Sequence, residues 1–190
     1  MRRLYKPLLP LCGIFLLAAA ALQAGVDVPV ASDLQQDGHA AHKDRLPLML
    51  VFSAITCSHC DELEEEFIRP MLLSGEYSDR ILIRKLVLDN GSSLTDFAGQ
   101  RRAVEEFAHS YGVYVTPTIL FVDHTGRQLA ERMVGINTIE MYGGYLDQCI
   151  DTALMHIRQP ALAADREACR LILRRPGKKT SPARFNPATT

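Results

Sequence analysis

An excess of charge of either sign is missing from this sequence: 21 Lys and Arg stand against 22 Asp and Glu, a formal net charge of -1 over 190 residues. A chain without a basic surplus has no overall attraction for a phosphate backbone, so nucleic acid is set aside as a partner. Metal ligands at usable spacing are also missing. There is one Cys-x-x-Cys, but no second one and no paired histidine motif, and His109 and His124 stand alone. A structural zinc needs four ligands, so no metal and no cofactor is expected. Internal repeats and tryptophan are absent. No apolar run reaches the roughly 20 residues that span a bilayer; the best of them, residues 11–22, falls short.

That short run has a different reading. It follows Arg2, Arg3 and Lys6 and leads into small residues, the layout of a secretory leader over residues 1–24, with cleavage after Ala21 or Ala24. An uncleaved anchor is the lesser alternative. The mature protein is therefore expected in the periplasm or another extracytoplasmic space. Cys12 lies at the start of the apolar run rather than after it and should leave with the leader. That leaves Cys57, Cys60, Cys149 and Cys169, an even set in a compartment where disulfides persist.

With 23% charged and 47% hydrophobic residues the composition is that of one globular domain with appendages. Residues 25–45 read as a lead segment, weakly amphipathic over 33–45, residues 46–159 as the domain, 160–175 as an extra helix after Pro160, and 176–190 as a solvated basic tail. Within the domain, residues 48–54 are an unbroken apolar run and read as a buried strand. A helix follows that carries Leu63, Phe67 and Ile68 until Pro70 ends or kinks it. Residues 81–88 read as a strand, 90–102 as a long polar surface loop, and Val104, Phe107 and Ala108 as a short helix. Residues 118–122 and 128–134 form two strands about the turn His124 to Arg127, and a last helix starts near Asn137 or Thr138 and runs to Pro160. The order is β-α-β-α-β-β-α: parallel strands joined by helical crossovers, closed by an antiparallel hairpin.

Cys57-Ser58-His59-Cys60 falls where the first strand gives way to a helix. Two thiols at this spacing close a small ring, so that one sulfur attacks a substrate and the other resolves the mixed disulfide. Cys57, at the helix N-terminus, has the orphan amides and the macrodipole to stabilise its thiolate. Cys60, one turn further in, is the resolving thiol. His59, when protonated, adds positive charge near the Cys57 sulfur and favours the reduced form, which makes the couple more oxidising. The same spacing also serves zinc or copper(I) sites and plain structural disulfides, and both stand as alternatives. The second candidate element is Val115-Thr116-Pro117-Thr118 at the start of a strand. A proline there removes a backbone donor, and a cis bond before Pro117 would leave the Thr116 backbone free to pair with an extended substrate.

Taken together, Phe52, Cys57-Ser58-His59-Cys60, Thr116-Pro117-Thr118, Gly126 and Gly135 resemble the thioredoxin superfamily over residues 46–154. The segment Leu94-Thr95-Asp96-Phe97-Ala98-Gly99 is similar to that of periplasmic thioredoxins of the SoxW type. The resemblance implies an α/β thioredoxin fold, with a central mixed β-sheet flanked by helices. It implies Cys57 as attacking cysteine, Cys60 as resolving cysteine and Pro117 as the cis-proline of the substrate groove. The family's buried acidic residue, which moves protons at the resolving cysteine, is replaced by Val51, although its usual neighbour Lys85 is kept. The aromatic residue before the first cysteine is replaced by Thr56. Glu62 or Glu64 is the candidate substitute relay; the other reading of each is a solvated helix carboxylate.

Cys149 and Cys169 are expected either to staple the extra helix to the domain, a bridge worth about 3 kcal/mol in the chain-entropy model, or to be inert thiols or a second redox pair. The expected activity is thiol–disulfide exchange with exported cysteine-containing proteins. The direction leans to reduction fed by a membrane electron donor, and a disulfide donor or isomerase-like oxidant is the other option. A dimerisation domain of the isomerase kind is not expected, and a monomer is expected.

Overall fold

The computed structural model describes residues 26–161. The expected leader, nearly all of the expected extra helix, the basic tail and Cys169 lie outside them. The backbone at residues 29–31 runs along Lys85 in a parallel bridge, with the Lys85 amide on the Pro29 carbonyl and the Ala31 amide on the Lys85 carbonyl, both 2.8 Å. Asp33 then caps α1 (Leu34–Asp44) by accepting the Gln36 amide at 2.8 Å.

Strand β1 (Leu48–Ser53) is buried along its whole length because it is paired on both edges and covered on both faces. It runs parallel to β2 (Leu82–Val87) and antiparallel to β5 (Thr118–Val122). The short β6 (Met133–Val134) pairs with β5, giving the order β2-β1-β5-β6. Met49 and Val51 point to one core with Leu63, Ile68, Leu146 and Ile150. Leu48, Leu50 and Phe52 point to the other with Leu34, Ala41, Val104 and Phe107. Side chains alternate along a strand, so only a strand clothed on both sides can be apolar without interruption. Fully burying each such Leu or Phe contributes about 1.5–3 kcal/mol. The helices that clothe it are α2 (Ser58–Leu63), α3 (Arg69–Ser74) and α5 (Ile139–Arg158) on the first face, and α1 and α4 (Val104–Ser110) on the second. This is a mixed sheet flanked by helices, the α/β thioredoxin fold.

The structure corrects the expected elements at three places. Residues 90–102 are not a featureless loop but a small antiparallel hairpin, β3 (Ser93–Thr95) with β4 (Arg101–Ala103). Its Leu94 is fully buried, and its turn is held by the Asp96 carboxylate, which accepts the Ala98 and Gln100 amides at 2.9 Å. Strands of three residues are too short for alternation to show. Pro70 does not end its helix. One π turn, Glu64–Ile68, is inserted ahead of it, with the Arg69 amide bonded back to the Glu64 carbonyl, and α3 continues through the proline. The wider turn opens the helix where the proline ring would otherwise strike the carbonyl four residues back. Finally, of residues 128–134 only Met133–Val134 form a strand; Gln128 makes a single bridge to Val122.

Candidate active site

Strand β1 delivers the chain to the site. After Ser53 the backbone turns outward, and the Ile55 amide is fixed by the Asp89 carboxylate at 2.8 Å. Asp89 follows β2, so the two parallel strands jointly hold the loop that carries Cys57. Sequence reading did not single out Asp89; its position two residues past a strand that pairs with β1 was the available signal.

Cys57 is the N-cap of α2, with extended backbone (φ -140°, ψ 96°), and its sulfur accepts the Cys60 amide at 3.2 Å. Its carbonyl accepts the amides of Cys60 at 2.9 Å and Asp61 at 3.1 Å. Cys57 and Cys60 are joined as a disulfide with their Cα atoms 5.2 Å apart. The two sulfurs are not equivalent. Cys57 is partly exposed, whereas Cys60 is 2% exposed and backed by the core. An incoming disulfide can reach only the first. A thiolate on it meets a backbone amide and the positive end of the helix.

The Thr116–Pro117 bond is cis, and this loop lies against the motif: Thr116 Oγ1 is 3.5 Å from the Cys57 sulfur. The loop is anchored by the Thr118 hydroxyl donating to the Val115 carbonyl and by the Gly135 amide donating to the Pro117 carbonyl, each at 2.8 Å. Pro117 itself is buried, while Tyr114 and Val115 just before it in the chain, and Ile55 two residues before Cys57, stand exposed. Sequence reading brought Cys57, Cys60, Thr116 and Pro117 into one site, and all four are found together.

His59 has its side chain 66% exposed and its Nδ1 3.3 Å from Glu62 Oε2. It thus faces solvent beside a carboxylate one turn along the helix. The two carboxylates weighed as relays separate in space. Glu62 is on this outer face; Glu64 is buried, and its Oε2 is 3.0 Å from the Lys85 ammonium. Val51 is buried and pairs in register with Lys85, so the apolar side chain leaves Lys85 to a carboxylate that descends from the helix.

Cys149 sits on α5, away from the motif, beside a cavity of about 410 Å³ lined by Arg132, Met133, Tyr142 and Tyr145 among others. Burial, and then the nearby Glu131 carboxylate, push its thiol pKa up. Burial, reinforced by Cys149, pushes the Tyr142 hydroxyl up to about 12. Cys169 lies outside the described residues, so the expected pairing has only one of its ends in view. Among the described residues no cluster of three or more His, Cys, Asp or Glu side chains is arranged to hold a metal ion.

The chain is similar to several solved structures. One is a thioredoxin-fold protein from Helicobacter pylori, 16% identical, covering 73% of this chain and 96% of that one with a TM-score of 0.47. A poplar thioredoxin h is 20% identical, with coverage of 62% and 95% and a TM-score of 0.43. Mitochondrial thioredoxin 3 from Saccharomyces cerevisiae is 18% identical, with coverage of 63% and 94% and a TM-score of 0.43. No curated protein sequence matches the chain. The family model described as a thioredoxin-like domain matches residues 34–150, from the start of α1 to the middle of α5. With β1, the Cys57–Cys60 pair and the Thr116–Pro117 loop all inside that match, the chain belongs to the thioredoxin-like domain family.

Proposed function

We propose that this protein is an exported thiol–disulfide oxidoreductase that reduces disulfides in extracytoplasmic proteins. The observation that carries the reading is the asymmetry of the pair: an accessible Cys57 sulfur at a helix N-terminus, joined to a Cys60 that the core covers. In the reduced protein the Cys57 thiolate attacks one sulfur of a substrate disulfide, forming a mixed disulfide and releasing the other substrate sulfur as a thiolate. Cys60 loses its proton and attacks the Cys57 sulfur. The second substrate thiolate departs, two electrons have passed to the substrate, and the Cys57–Cys60 disulfide remains. A further dithiol donor must then reduce it. The arginine-led apolar leader at residues 1–24 supports export. The likeness of residues 94–99 to the SoxW type supports the reducing direction.

Equilibration of the mature protein with glutathione buffers, read by thiol trapping and mass spectrometry, tests this. A potential near thioredoxin's, about -270 mV, supports a reductant, and one near -120 mV would make the protein a disulfide donor instead. A Cys57–Cys60 pair that never cycles would end the redox reading.

A further inference from the structure

Resolution of the mixed disulfide poses a problem that the placement of Cys60 makes acute. Its thiol must lose a proton, yet the residue is 2% exposed. Water has little access, and burial among apolar side chains disfavours the thiolate. A base must therefore lie within the protein, on the same side of the sheet.

The buried polar side chains among the described residues are few: Ser53, Glu64, Asp96, Thr118 and Asp123. Serine and threonine are no bases at neutral pH. Asp96 and Asp123 are committed to turn amides, Asp96 to Ala98 and Gln100, and Asp123 to Thr125 and Arg127. The other acids of the helix are turned outward. Asp61 is exposed, Glu62 pairs with His59, Glu65 pairs with Arg69, and Glu66 is exposed.

Glu64 remains. Its backbone amide donates to the Cys60 carbonyl, so it stands one regular turn beyond Cys60, and residues four apart share a helix face about 5–6 Å apart at Cβ. The π turn begins only at Glu64 and leaves that one-turn relation intact. Lys85 holds the carboxylate through Oε2, while Oε1 has no hydrogen bond among the described residues. The ammonium occupies and orients one oxygen, and the second oxygen is left for a proton. We propose that Glu64 is the proton acceptor for Cys60 in the resolving step, with Lys85 as its positioning residue. The Cys60 thiol proton passes to Glu64 Oε1. The thiolate forms the bond to Cys57 and the Cys57–substrate bond breaks. The released substrate thiolate takes a proton from solvent, and Glu64 returns its own to solvent through its remaining exposed edge.

This inference rests on the dithiol reading above, and the experiment separates the two. Reduced full-length protein is mixed with a model protein disulfide, quenched at short times, and the mixed disulfide is quantified by mass. Attack and resolution are then read as two rates in one sample, so a general loss of folded protein lowers the amplitude and leaves the ratio of the two rates intact. In Glu64→Gln, resolution is expected to slow about 100-fold, the usual scale of a lost general base. The mixed disulfide accumulates, while attack by Cys57 keeps its rate. Glu64→Asp, which retains a carboxylate, should recover part of the loss. Unchanged resolution in Glu64→Gln, or equal slowing of both steps, overturns the assignment. A wild-type protein that forms no mixed disulfide overturns the oxidoreductase reading instead.

Discussion

Thr116 Oγ1 lies 3.5 Å from the sulfur of Cys57, so the loop before β5 offers a hydroxyl to the atom on which the chemistry turns. A hydroxyl donor stabilises a thiolate more than a thiol or a disulfide. Thr116→Val keeps the shape and removes the donor. The Cys57 thiol pKa should rise, and the couple should become more reducing by roughly 10–30 mV, the equivalent of one modest hydrogen bond. Alkylation rate against pH gives the first quantity and glutathione equilibration the second. A higher potential in the variant would show that the hydroxyl does not act on the thiolate.

His59 and Glu62 form an exposed pair one turn apart. Protonated His59 favours the Cys57 thiolate and Glu62 offsets that charge, so the two single variants should move the potential in opposite directions. His59→Ala is expected to lower it and Glu62→Gln to raise it. Each shift should be on the order of 10 mV, since exposed ion pairs are worth well under 1.4 kcal/mol. Shifts of the same sign would mean that charge near Cys57 is not what the histidine supplies.

Much of this was legible in the chain itself. The unbroken apolar run at residues 48–54 reads as a buried strand, which the structure places at Leu48–Ser53, and the spacing of Cys57 and Cys60 after it placed the thiols at a helix start. Thr138 and Pro160 bracketed the last helix closely. What the sequence hid was hidden for stated physical reasons. Strands β3 and β4 carry one buried side chain between them that periodicity would notice, Leu94. Glu62, Glu64, Glu65 and Glu66 are chemically alike, and only the helical phase, together with Lys85 on a strand of distant sequence, decides that Glu64 goes inward. Pro70 reads as a helix end unless a π turn is foreseen, and no local pattern announces one.

Gly38 stands in the middle of α1, and its reason is tertiary. A Cβ there would sit 2.6 Å from the His124 carbonyl oxygen, a backbone atom that cannot swing away. Helix propensity alone credits Gly38→Ala with about 1 kcal/mol of stabilisation. Overpacking costs about 1–3 kcal/mol, so the variant should be less stable by about 1 kcal/mol, with an unchanged urea m-value. A stabilised variant would mean that α1 lifts off the hairpin without cost.

The hairpin that α1 approaches is organised by Asp123, 5% exposed. Its carboxylate accepts the Thr125 amide at 2.9 Å and hydroxyl at 2.6 Å, the Arg127 amide at 3.0 Å and the Arg127 side chain at 3.0 Å. Burial alone would raise its pKa. The hydrogen bonds from Thr125 and Arg127 outweigh it, and the pKa lies below the ordinary value. Unfolding therefore raises the proton affinity of this carboxyl, so its contribution to stability is complete above the unfolded pKa of about 3.9 and falls away as pH drops through the folded one. Asp123→Asn should cost about 2 kcal/mol at pH 7, counting mainly the Thr125 and backbone bonds, because the Arg127 side chain is largely exposed. The gap between wild type and variant in urea unfolding should narrow from about pH 5 downward. A gap that stays constant to low pH would place the stabilisation in shape rather than in charge, since an amide oxygen can still accept the turn amides but cannot titrate.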